Sequence, residues 1–167
     1  CAIFIPLGPA TSATAHLTSE DLPPLDNYEM DGRTYMFCEK PVIFPFGYGL
    51  SYTSFAYDKV QVARDGGRIT VSCEVANTGV RDGDEVVQLY VRQVDRKPHR
   101  PIKQLKAFER VHIPAGGVRS VALRLKVDDL AFWNGEASRY MVEPSEYEFM
   151  VGASSADIRL TARLTLP

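Results

Sequence analysis

From residue 55 to residue 166 the chain alternates apolar and polar residues in short runs, each closed by a turn signal. A period of two puts successive side chains on opposite faces of an extended strand, and a helix would scatter them. Ile69, Val71, Cys73 and Val75 face one way while Thr70, Ser72 and Glu74 face the other, as in a half-buried antiparallel strand. Further strands are expected at 55–64, 85–94, 104–113, around Val121 to Val127, at 140–142, at 147–151, and from Ile158 to Leu166. Asp65-Gly66-Gly67, Asn77-Thr78-Gly79 and Pro114-Ala115-Gly116-Gly117 supply the turns. Some seven strands of this spacing predict an all-β, antiparallel β-sandwich. Its inner faces should bury one another at roughly 10 Å, with Phe149 and Leu123 in the shared core. Val86, Gln88, Tyr90 and Arg92 are expected on the outer face of their strand.

Residues 1–44 read differently. Pro6, Pro9, Pro23, Pro24, Gly32 and Pro41 interrupt any period, which is linker behaviour. Ser19 could cap one helical turn, ended at once by Pro23-Pro24. The expected division is an irregular connector over 1–44 and a sandwich over 45–167. At the junction stands Pro45-Phe46-Gly47-Tyr48-Gly49-Leu50-Ser51-Tyr52-Thr53-Ser54-Phe55. Gly47 and Gly49 permit positive φ and close backbone approach, and Pro45 fixes the incoming dihedral. The segment therefore reads as an aromatic knot in which Phe46, Tyr48 and Tyr52 pack on the sandwich. A nucleotide-binding glycine loop would need glycine where Tyr52 stands, followed by a helix.

The knot, Val75-Ala76-Asn77-Thr78-Gly79, the run from Gly83 to Val91 and Val142-Glu143-Pro144 together resemble the C-terminal fibronectin type III-like domain of glycoside hydrolase family 3. That family comprises β-glucosidases, β-xylosidases and relatives, and the resemblance runs from about Leu17 to Leu166. Ser19 to Pro24 and Tyr28 to Tyr35 are similar to the connector that leads into this domain. Ala107 and Ser145 stand where the family usually has glycine, which bears on local turn geometry. The resemblance implies a fibronectin III-like fold with no catalytic residue in this chain, because the family's nucleophilic aspartate and acid/base glutamate lie in preceding domains. It also implies docking contacts from Arg33, Tyr35, Phe46, Gly47, Tyr48, Gly49 and Tyr52. The parent would be periplasmic or secreted, a cytoplasmic one staying open.

The remaining chemistry is sparse. A net charge of −2 across 167 residues offers no field for nucleic acid or an anionic membrane, and no apolar run reaches the roughly 18 residues that span a bilayer. Cys1, Cys38 and Cys73 form neither a disulfide framework nor a zinc spacing; Cys73 reads as a small buried hydrophobe. His16, His99 and His112 lie in separate segments. No cofactor or metal is expected. The carboxylates fall in turns (Asp65, Asp82, Asp84, Asp128, Asp129) or at outward positions (Glu74, Glu148) and read as solvated surface groups. The basic stretch from Arg92 to Lys103 lacks the interleaved aromatics of a nucleic-acid surface and reads as a solvated loop.

Trp133, Tyr140 and Tyr90 are the candidate sugar contacts, although Trp133 is better placed as an apolar plug over the sandwich end. Because the chain starts at Cys1 without a basic leader, it is expected to be a piece of a longer protein. Two functions compete. One is an accessory domain partnered by the catalytic domains of a parent β-glycosidase, with oligo- or polysaccharide or a second subunit as further partners. The other is an independent carbohydrate-binding or adhesion module. The long proline-punctuated connector favours the first, since a free module has no use for one.

Overall fold

The computed structural model describes residues 34–38, 42–97, 100–135 and 137–167. Among them the chain forms strands β1 (Phe55–Asp65), β2 (Arg68–Asn77), β3 (Gly83–Gln93), β4 (Gln104–Ile113), β5 (Val118–Lys126), β6 (Phe132–Asn134), β7 (Arg139–Met141), β8 (Ser145–Gly152) and β9 (Ile158–Leu166). A 3-10 turn, Val127–Leu130, follows β5. The seven long strands make two antiparallel sheets of order β1-β2-β5 and β4-β3-β8-β9. The short β6 and β7 pair with each other alone. The chain passes from the β3–β4 hairpin across to β5 in the opposite sheet, the connection typical of such sandwiches. This is the expected all-β sandwich. The Ser19 cap, the Pro23-Pro24 stop and His16 lie outside the described residues.

The core is what the alternation dictated. Ile69, Val71, Cys73 and Val75 of β2 and Val121, Leu123 and Leu125 of β5 face Val87, Leu89 and Val91 of β3 and Tyr147, Phe149 and Val151 of β8. All are buried, Phe149 completely. Burial pushes the Cys73 thiol up to about 11, so it stays protonated and unreactive at neutral pH. Val127 does not continue β5 but opens the 3-10 turn.

Asn77 ends β2, but not through left-handed backbone, since the positive-φ residues other than glycine in the described chain are Lys59 and Ser138. Its buried side chain works instead. Nδ2 donates to the carbonyls of Arg81 (2.7 Å) and Ile113 (2.9 Å), and Oδ1 accepts from Thr53 Oγ1 (2.6 Å) and Gly79 N (3.0 Å). Four bonds tie the β2 turn to the end of β4 and to the connector, satisfying groups that burial would otherwise penalise. Ala107 sits beside a bulge, where the β3–β4 register slips between Leu89 and Tyr90. Ser145 opens β8 opposite Leu166. Neither has positive φ, so a side chain in place of glycine is accommodated.

Candidate functional site

Two surfaces draw on the residues singled out by sequence. The first lies on the outer face of the four-stranded sheet. Gln88 and Tyr90 alternate with the core residues of β3 and so point outward, yet both are buried. The connector covers them. Gly47 has φ +77, and a Cβ there would lie 2.0 Å from Gln88 Oε1 and 2.9 Å from the Tyr90 hydroxyl. Only glycine lets the backbone come this close. Gln88 Nε2 donates to the carbonyls of Gly47 (3.0 Å) and Ala153 (2.6 Å), and the Tyr90 hydroxyl donates to Gln88 Oε1 (2.6 Å). Ser155 N donates to the Phe46 carbonyl at 2.8 Å. Burial, with a smaller contribution from Tyr35, raises the Tyr90 phenol well above its usual range, so it remains a donor at any physiological pH.

Tyr35 and Phe46 complete the joint. Their rings stack at 4.1 Å and 10°, and Tyr35 meets Tyr90 edge-on at 6.1 Å. The Tyr35 hydroxyl accepts from Leu105 N (3.0 Å), and the Met36 carbonyl accepts from Ile102 N (2.6 Å). Of the expected knot, then, Phe46 and Gly47 are brought together with Tyr35, and Arg33 lies outside the described residues. Tyr48 and Tyr52 do not pack on the sheet. Tyr48 is half exposed and leans on exposed Phe44, while Tyr52 is 94% exposed. Gly49 has neither positive φ nor any atom within 4 Å of a Cβ. The chain crosses the sheet at Phe46-Gly47, swings outward over Tyr48 to Tyr52, and is tied down again where Thr53 bonds Asn77 and the Ser54 carbonyl accepts from Thr78 N (2.8 Å). A groove beside the crossing is lined by Tyr48, Leu50, Val86, Leu105 and Phe108, and Phe108 is 68% exposed.

The second surface is the β6–β7 hairpin. Trp133 and Tyr140 are cross-strand partners with rings 5.5 Å apart at 70°. They are 53% and 71% exposed, so Trp133 is no plug. Leu130 fills that role, because the 3-10 turn carries it inward and alternation turns Trp133 out. Phe132 lies on the opposite hairpin face, and the Arg100 guanidinium sits 3.1 Å from its ring centroid, a cation–π contact. Tyr90, the third sugar candidate, is buried in the other surface.

The solvated reading of the acidic and basic groups also needs correction. Glu148 is buried, bonded to Arg92 Nε (2.5 Å) and Arg163 Nε (3.2 Å). Those two long side chains lie over it and exclude water. Glu143 is buried under Lys97 (2.7 Å) and Arg100 (3.7 Å), with Gln93 Nε2 at 3.1 Å. The Arg92–Lys103 loop is therefore a clamp in part: Arg100 grips Glu143 and Phe132, and Lys103 Nζ bonds the Ser155 carbonyl. Glu85 accepts from the Tyr57 hydroxyl (2.6 Å), and burial holds its carboxyl above the usual range against the pull of that bond. His112 Nδ1 lies 2.7 Å from Asp84, and His99 is outside the described residues. Among the described residues no three His, Cys, Asp or Glu cluster as a metal site, and no helix is long and apolar enough to cross a membrane.

Glu143 gives a pH prediction. The Lys97 ammonium bonded to it holds its carboxyl below the usual range, further lowered by Gln93 and Arg100 and opposed by burial. A depressed folded pKa adds stability above the unfolded value of about 4.3, lost as pH falls through the folded one. Stability should thus drop between about pH 5 and pH 3, and Glu143→Gln should shrink that drop. Urea midpoints of both proteins at pH 6 and pH 3 check it; equal drops would refute the assignment.

The sequence reading expected the close approach at Gly47 but overlooked Gln88, the side chain that it meets. The available signal was the spacing of Gln88 and Tyr90, two hydrogen-bonding side chains on the outer face of one strand.

Comparison with known proteins places these features. The model of the fibronectin type III-like domain matches residues 85–155. A xylan 1,4-β-xylosidase of Xylanibacter ruminicola is 40% identical over 152 residues, 90% of this chain and 17% of the relative. A periplasmic β-glucosidase of Salmonella typhimurium is 38% identical, over 70% of this chain and 16% of its own length. The crystal structure of a β-glucosidase from Kluyveromyces marxianus superposes with a TM-score of 0.76 at 38% identity, covering 81% of this chain and 17% of that one. The chain thus spans about a sixth of the length of the relatives it matches.

Proposed function

We infer that this chain, which belongs to the fibronectin type III-like domains of glycoside hydrolase family 3, serves as the accessory sandwich of a larger β-glycosidase and docks on the rest of that enzyme through its connector face. The observation that carries this reading is the crossing at Phe46-Gly47. It brings the preceding residues onto one sheet face, where Phe44, Tyr48, Leu50, Val86 and Phe108 remain exposed. A contiguous apolar surface of this kind marks an interaction site, and it lies where the chain arrives from the N-terminal side. The parent would hydrolyse terminal non-reducing β-D-glycosyl residues with retention: one carboxylate forms the covalent glycosyl-enzyme, while a second carboxyl group protonates the departing oxygen and then activates the water that releases the sugar, both supplied by other domains. Among the described residues the buried carboxylates Glu85, Glu143 and Glu148 are each engaged by Arg, Lys, Gln or Tyr within the sandwich. A periplasmic or secreted location is supported by the periplasmic relative.

The reading is tested with the Xylanibacter ruminicola xylosidase from which the matched segment has been deleted. Co-expressed with that remainder, this chain should co-purify, and Phe108→Asp combined with Leu50→Asp should abolish the association without altering the thermal transition of the chain itself. By itself the chain should turn over neither nitrophenyl β-xyloside nor nitrophenyl β-glucoside. Turnover surviving rigorous removal of host enzymes, or failure of the wild-type chain to associate, would overturn the proposal.

A further inference from the structure

The β6–β7 hairpin is not explained by docking. A stable protein interface buries about 800 Å² on each partner. Trp133 and Tyr140 form a patch of only two rings. Polar or charged residues flank it, with Asn134 and Ser138 in the turn and Arg139 beside Tyr140. The two rings touch each other, yet both stay more than half exposed. The hairpin is nonetheless firmly presented, because Arg100 clamps Phe132 on its inner face and also grips Glu143. A rigid support behind a small exposed aromatic pair is the arrangement that suits a small ligand with one apolar face.

We propose that Trp133 and Tyr140 form a shelf that binds a β-1,4-linked pyranose oligosaccharide. The inference rests on the reading of the chain as a β-glycosidase accessory domain. A β-pyranose with equatorial substituents presents axial C–H groups on its ring faces and hydroxyls around its rim. The indole face takes the C–H face. At 70° to it and 5.5 Å away, the Tyr140 ring borders the same sugar and offers its hydroxyl to the rim. The neutral pair suits an uncharged ligand, and no bond is made or broken at the shelf. Its role is to hold a polymeric chain near the enzyme, which raises the local concentration of chain ends.

Trp133 is the sole tryptophan, so its emission reports the shelf directly. Titrating the whole chain with xylohexaose and with cellohexaose should produce a saturable shift with at least one of them, at a Kd on the order of 0.1 to 1 mM, as suits one or two ring contacts. Tyr140→Ala should weaken binding at least ten-fold with its thermal transition unchanged. Trp133→Ala, followed by isothermal titration, should abolish it. The Leu50→Asp, Phe108→Asp double variant should bind as wild type, which separates this site from the docking face. Absence of a shift up to 10-fold above that range, a shift unaffected by Tyr140→Ala, or equal binding of α-linked maltohexaose would each overturn the shelf while leaving the docking reading standing. So would a change in emission caused by the truncated xylosidase without sugar, which would assign the pair to a protein contact.

Discussion

Phe149→Ala is expected to lower the stability of this sandwich by about 3–5 kcal/mol, the range for removing a fully buried aromatic ring. Phe149 is completely buried at the centre of β8. Its β3 neighbour is Val91 and its β9 neighbour Ala162, so the ring projects from an inner strand into the core between the sheets, where neighbours held on both sides relax only partly around a cavity. Leu123 in the facing sheet is 3% exposed and belongs to the same cluster. Since whole domains hold about 5–15 kcal/mol, the variant should sit near the limit of folding at 37 °C. Urea unfolding followed by circular dichroism measures it. A midpoint that hardly moves would mean that the strand register is displaced by one residue, which turns every side chain to the other face.

Gly47→Ala should have an effect of similar size but confined to the joint. Left-handed backbone costs a non-glycine residue roughly 1–2 kcal/mol. The added methyl would also displace the Gln88 amide, breaking bonds to Gly47 and Ala153 and leaving the Tyr90 hydroxyl only its longer contact, the Phe46 carbonyl at 3.4 Å. Each buried polar group left unpaired costs about 1–3 kcal/mol. The sandwich can escape most of this by letting the connector go. The expected result is fast amide exchange at Ser155 and Leu105, whose N–H groups bond to Phe46 and Tyr35, with slow exchange retained in β2 and β3. Unchanged protection at those two amides would show that the crossing is held by something other than the Gly47–Gln88 contact. Global unfolding, on the other hand, should shift less than local exchange, because the loss cannot exceed the free energy of docking the connector.

These two sites differ in how legible they were. The core followed from alternation, because burial on one face is a strong, periodic demand on residue type. Ile69 to Val75 could be assigned without knowing what lay opposite. The joint did not follow. Tyr48 and Tyr52 carry the same aromatic character as Phe46, and whether an exposed ring finds a partner depends on where the chain turns away from the sheet, which composition does not encode. Trp133 was misplaced for a related reason: Leu130 and Trp133 are both apolar, and the 3-10 turn decides which points inward. Glu148 sits at an outward position and reads as solvated until the reach of Arg92 and Arg163 is known. Long side chains can bury an outward position that alternation marks as exposed.

The connector joint has a consequence for how such a sandwich can be moved between proteins. Its acceptors are the carbonyls of Phe46, Gly47 and Ala153, and its donors come from β3 and the β8–β9 turn. The identity of residues 48–52 is almost irrelevant to it, whereas one methyl at 47 is not. Tyr35 and Met36 bond to backbone groups beyond β3. A graft cut at Pro45, where the strand pattern begins to look autonomous, would therefore sever the handle by which the sheet holds its own tether. The transplantable unit includes Thr34 to Met36, and a chimera built to keep them carries its hinge geometry with it instead of inheriting one from the new host.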